Sequence, residues 1–139
     1  MFKNSISAMI GALVVTAFCS WAPSLATSAA AQQPTVTRKA LLQQDLAIPG
    51  YVGALVAVDI PVGAREGKHT HPGNLIGYVQ EGVLTLDSEG KPTATYKAGD
   101  TFSVEPGKIH EGINNGTSPI KVLAAFVVEK GKPITSQVK

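Results

Sequence analysis

Histidine is scarce in this chain: among 139 residues only His69, His71 and His110 carry an imidazole. The first two flank Thr70, and on an extended strand residues two apart share a face, so both rings can aim at one point. His110 follows Pro106-Gly107, where a turn can return the chain across a sheet. Three neutral imidazoles meeting in an apolar pocket make a site for one divalent metal ion. Competing chemistries have little to work with. No Ser-His-Asp or paired-carboxylate arrangement is recognisable, and the single cysteine, Cys19, lies close to the N-terminus.

The elements that would position these rings begin beyond residue 31. Lys3 gives a short positive start, Ile10–Phe18 an apolar run, and Ala29-Ala30-Ala31 a cluster of small residues. This is the pattern of a cleavable signal peptide over residues 1–31, too short and badly flanked for a stable membrane span. The expectation is a periplasmic or secreted protein with no membrane span after processing. Phe18 before Cys19 is too bulky for lipoprotein processing, so the cysteine leaves with the leader and the mature chain has no thiolate ligand. A formal net charge of +2, with no dense basic patch, argues against nucleic acid as a partner.

Residues 32–50 read as an N-terminal arm, 51–133 as a β-rich core and 134–139 as a C-terminal tail. Within the arm, Ala40–Leu46 fits a helical turn or an edge strand equally well before Ile48-Pro49-Gly50 ends it. Beyond it, Tyr51–Ile60, Leu75–Gln80, Val83–Leu86, Thr93–Tyr96, Thr101–Val104 and Ile120–Val128 read as strands. Fourteen glycines and nine prolines, mostly between these runs, favour an all-β antiparallel sandwich or barrel. There is no internal repeat and no second-domain linker.

Two segments carry the chemistry. One runs Gly63-Ala64-Arg65-Glu66-Gly67-Lys68-His69-Thr70-His71 and on to Gly82; the other runs from Gly99 through Gly107 and His110 to Asn114. Together they resemble the two signature segments of the cupin superfamily, small antiparallel β-barrels of jelly-roll type that often hold one metal ion. Gly63, His69, His71 and Gly82 fall where the first pattern expects them, and Gly99, Gly107, His110 and Asn114 where the second does. Two positions depart. Leu75 stands where the family usually has a glutamate ligand, and Glu105 stands where a proline is expected, with Pro106 next.

Leucine has no lone pair, so the resemblance implies a neutral three-histidine shell completed by water or substrate. A regular strand turns Asn74 away from that shell and puts Gly112, rather than Glu111, on the face of His110. Leu75, Gly77, Phe102, Val104 and Gly112 are the candidate pocket residues, with the two glycines reducing volume. Asn114 suits a loop-pinning role. Glu66, Glu105 and Glu111 are carboxylates near the segments, equally suited to general-base work and to solvated loops. No catalytic residue is assigned.

By this resemblance Fe(II) is the favoured ion, with Zn, Mn, Ni and Cu as alternatives. The implied function is a non-haem Fe(II) dioxygenase acting on a small enol, diketone or phenolic metabolite. A non-catalytic cupin that binds a small molecule or metal is the alternative, and a Zn-dependent hydrolase or isomerase a further one. The resemblance also implies a homodimer, with residues 33–47 available as an arm that adds a strand across subunits.

Overall fold

Alternation of apolar and polar side chains sets the architecture. From Ile120 to Val128 every second residue faces inward or is at least half-buried, and Tyr51–Ile60 repeats the pattern with Val52, Ala54, Val58 and Ile60 inside. The structure, a computed structural model, describes residues 34–139; the leader expected over residues 1–31 lies outside the described residues. The strands are β1 Thr37–Asp45, β2 Tyr51–Ile60, β3 His69–Thr70, β4 Asn74–Glu81 and β5 Val83–Ser88. They continue with β6 Ala94–Lys97, β7 Thr101–Val104, β8 His110–Ile113, β9 Ile120–Glu129 and β10 Ser136–Gln137.

Hydrogen bonding divides them into two five-stranded antiparallel sheets, ordered β1-β2-β9-β4-β7 and β10-β3-β8-β5-β6. The all-β antiparallel expectation holds. Ile60, Val79, Leu84, Ile120 and Val128 are almost wholly removed from solvent at the centre of one apolar cluster fed by both sheets. Each such side chain contributes about 1.5–3 kcal/mol of transfer free energy. No helix among the described residues is long and apolar enough to cross a membrane.

Two stretches of ambiguous sequence become strands because a free edge is waiting for them. β1 pairs with β2 from Thr37↔Asp59 to Asp45↔Val52, with a register shift between Ala40 and Leu42, so the arm is an edge strand and not a helical turn. The bulge leaves Leu41 and Leu42 about half exposed. At the other end, the residues read as a tail contribute β10, which pairs with β3 through Ser136↔Thr70 and Gln137↔His69. A two-residue ladder has no period to read, which is why its sequence gives no strand signal.

Glycine has two distinct uses here. Gly82 turns β4 into β5 with φ of +80°. Gly73 has a different reason: a Cβ there would collide with the Val127 carbonyl. The packing of the chain onto β9 needs its missing side chain.

Candidate metal centre

The register of the shorter sheet brings the histidines together. His69 on β3 pairs directly with His110 on β8, and His71 lies one residue beyond the end of β3. Their ring centroids are 4.3 Å apart for His69–His110 and 4.9 Å for each of the other two pairs. One ring nitrogen from each residue lies within 4.8 Å of the others, and all three side chains are buried. Nitrogens bound to one ion at about 2.1 Å in tetrahedral geometry stand about 3.4 Å apart, so ring movements of up to about an ångström close the site.

Backbone carbonyls fix the tautomers. His69 Nδ1 lies 2.7 Å from Gly67 O, His71 Nδ1 2.7 Å from Ile134 O, and His110 Nδ1 3.0 Å from Lys108 O. A carbonyl only accepts, so each Nδ1 carries the proton and each Nε2 keeps its lone pair. His110 Nε2 is buried without a hydrogen-bond partner among the described residues. An orphaned lone pair of this kind is costly in a protein interior and is satisfied by a metal ion. Burial pushes the His71 imidazole down to about 4, opposed by the Ile134 carbonyl and helped by the other two rings. Burial likewise lowers His110. Neutral rings with preset Nε2 donors are what a divalent ion requires.

The rings open onto a cavity of about 280 Å³ whose wall is mostly aliphatic and aromatic. Leu75 and Phe102 line it, with Phe126 stacked edge-on against His71 at 4.8 Å between centroids. Gly77 does not line it but makes room for the Phe102 ring, which a Cβ at 77 would strike. Val104 pairs with Leu75 and is buried in the core behind the lining. Gly112 leaves space for the Glu66 carboxylate.

The nearby polar residues separate into distinct roles. Asn74 is exposed. Glu111 is buried, bound by Arg65 Nε and Nη2 at 3.1 and 2.6 Å and by the Gly67 amide at 3.2 Å. The Arg65 guanidinium holds the Glu111 carboxyl below the usual carboxylate range. Glu105 pairs with Lys91 on the surface. Asn114 pins its loop by donating to Ile60 O and Ser118 O at 2.8 and 2.9 Å, and it accepts from the Gly116 amide.

Three contributors escape a sequence reading. Arg38 and Thr135 line the cavity, and the Ile134 carbonyl orients His71. Arg38 reaches the site only because β1 pairs with β2 in the register Arg38↔Val58, and Val58 faces inward. That long-range pairing leaves no local signal.

Two antiparallel sheets around a buried tri-histidine cluster, without a carboxylate in the cluster, define a small β-domain with a histidine-based metal site. The cupin domain family matches residues 56–128, about half of the chain, and the chain belongs to it. A germin-like protein, subfamily 2 member 2, of Arabidopsis thaliana is 36% identical over 78 residues, covering 52% of this chain and 36% of the plant protein. The chain thus spans about a third of that relative's length. A conserved double-stranded β-helix protein of Klebsiella pneumoniae superposes with a TM-score of 0.61 at 18% identity, over 78% of this chain and 88% of its own. Oxalate oxidase in complex with glycolate gives 0.59 at 22% identity, over 73% and 54%. At these identities the structural likeness is one of fold.

Proposed function

We propose that this chain is a metal-dependent cupin that acts as a non-haem Fe(II) dioxygenase on a small enol, diketone or phenolic metabolite. The observation that carries the reading is the set of three Nδ1-anchored imidazoles turning free Nε2 atoms into an apolar cavity. Three protein ligands leave positions open on an ion, which a structural site would close. A cavity of about 280 Å³ sits at the small end of ligand pockets and suits a compact molecule.

The protein's own contributions follow from the geometry. Leu75, Phe102 and Phe126 keep water from the centre and favour a flat or compact apolar body. The Gly67, Lys108 and Ile134 carbonyls hold the rings in the ligating orientation and raise their basicity. A redox-active divalent ion, when bound, supplies electron transfer between an oxygen-donor substrate and O₂. The reading includes export to the periplasm or beyond and a homodimer joined through the arm, in keeping with the leader-like N-terminus and the exposed edge strand β1.

Anaerobic reconstitution with Fe(II), followed by metal analysis and oxygen-electrode assays with enols, β-diketones and phenols, tests it. One ion per chain and substrate-dependent O₂ consumption are expected. Stoichiometric binding with turnover that ignores O₂ would assign a hydrolase or isomerase, and ligand binding without turnover a binding protein.

A further inference from the structure

Among the described residues Glu66 is the one carboxylate lining the cavity, and it stands outside the histidine cluster. Its seat is built from several directions. The Glu66 amide donates to Gly112 O at 2.9 Å, tying the segment to β8. On either side, the Arg65 side chain and the Gly67 amide both bind Glu111. Arg38 Nη2 donates to Glu66 Oε1 at 2.9 Å, and the Glu66 side chain is only 14% exposed. A Cβ at residue 112 would clash with Oε2, so a larger residue at that position would push the carboxylate aside.

Gly112 sits two residues beyond His110 on β8, on the same face of the strand. One such repeat is about 6.6 Å. The carboxylate stands outside the histidine cluster yet lines the same cavity. A molecule of a few heavy atoms, held at the histidines by one oxygen, would reach it with a second polar group. Arg38 pairs with Glu66 through Oε1 and leaves Oε2 as an acceptor in a largely apolar wall. Thr135 adds an uncharged hydroxyl to the lining, beside His71 Nδ1 at 3.4 Å.

We infer that Glu66 is a specificity-determining residue, whose Oε2 accepts a hydrogen bond from a hydroxyl of the ligand. The site thereby selects small molecules that carry a free enol or phenol O–H. The assignment rests on the metal-centre reading and adds the group that chooses among its ligands. A hydrogen bond to a charged acceptor is roughly twice as strong as one to a neutral acceptor, so Glu66→Gln weakens recognition without changing shape.

The test uses the full chain loaded with redox-silent Zn(II), titrated calorimetrically with catechol and with its monomethyl ether, guaiacol. The wild-type chain is expected to prefer catechol by tenfold or more. Glu66→Gln should lose about tenfold in catechol affinity while its Zn(II) affinity stays within about twofold. Gly112→Ala, which displaces the carboxylate from the neighbouring strand, should reproduce the loss at unchanged Zn(II) affinity. Equal catechol affinity in wild type and both variants, or no preference for catechol in the wild type, would overturn the role of Glu66 while leaving the metal centre standing. Failure of the wild-type chain to bind Zn(II) would remove the metal centre and this assignment together.

Discussion

The two sheets are built from the same residue types for different ends. In the sheet β1-β2-β9-β4-β7, β2 and β9 each run ten residues, pair along their whole length and bury alternate apolar side chains. In the sheet β10-β3-β8-β5-β6, β3 and β10 have two residues each and β8 four, and all four positions of β8 are buried. His69 and His110 lie on those short strands, with His71 just beyond the end of β3, and their partners are carbonyls at strand ends and loops. Long ladders supply stability; short strands leave backbone groups free to aim side chains. The division places the metal centre on the less regular wall and most of its apolar lining on the more regular one.

Substitutions should separate these roles, and the largest effect falls on the long sheet. Ile120 on β9 is fully buried and does not line the cavity. Ile120→Ala should cost about 2–5 kcal/mol in denaturant unfolding while metal affinity measured on the folded protein changes little. His110→Leu inverts this pattern. It removes a ligand and an orphaned Nε2, so metal affinity should fall by more than about 100-fold, since even outer-shell changes cost 10–100-fold. The metal-free fold should be no less stable than wild type, because an unpaired buried polar atom has gone. A large loss of metal-free stability in His110→Leu would show that the short sheet also carries the fold.

A smaller effect is expected from the C-terminal strand. Ending the chain at Pro133 removes the Ile134 carbonyl that orients His71, together with β10 and its pairing to β3. Metal affinity should fall about 10–100-fold, with most of the β-sheet circular dichroism retained. Affinity within twofold of wild type would mean that the tail only covers the site.

Much of this was legible from residue order, and the boundary of legibility is physical. His69, His71 and His110 were readable because scarce imidazoles at strand spacing have few alternative uses, and Leu75 was readable as the missing carboxylate. The long strands announced themselves by period. What stayed hidden depended on partners far apart in the chain: β1 against β2, the Ile134 carbonyl on His71, Arg38 opposite Val58, and Glu66 over Gly112. Glu111 is the instructive case. As a charged residue beside a glycine it reads equally as solvated, yet Arg65, forty-six positions earlier, makes its burial affordable. Backbone carbonyls and long-range ion pairs have no residue-type signature, so the ligands could be read and their supports could not.

Acid should reveal the same division at the smallest scale. Burial holds His71 and His110 below their ordinary values, with His71 near 4. Between about pH 6.5 and pH 4 the unfolded chain therefore binds more protons at His71 than the metal-free folded chain does. Stability then rises with pH across that window and is lost as pH falls through it, by at most ~1.4 kcal/mol per pH unit for each fully responding histidine. Glu111 adds a second loss at lower pH, because Arg65 keeps its folded carboxyl below the usual range and protonation breaks that pairing. Both contributions belong to the short sheet. Urea unfolding of chelator-treated protein at pH 7.5, 6.5 and 5.5 should show the decline in wild type and a shallower one in His71→Leu. If the two slopes match, the buried imidazole of His71 is not a source of the acid sensitivity, and the polar sheet is less sealed from water than its packing implies.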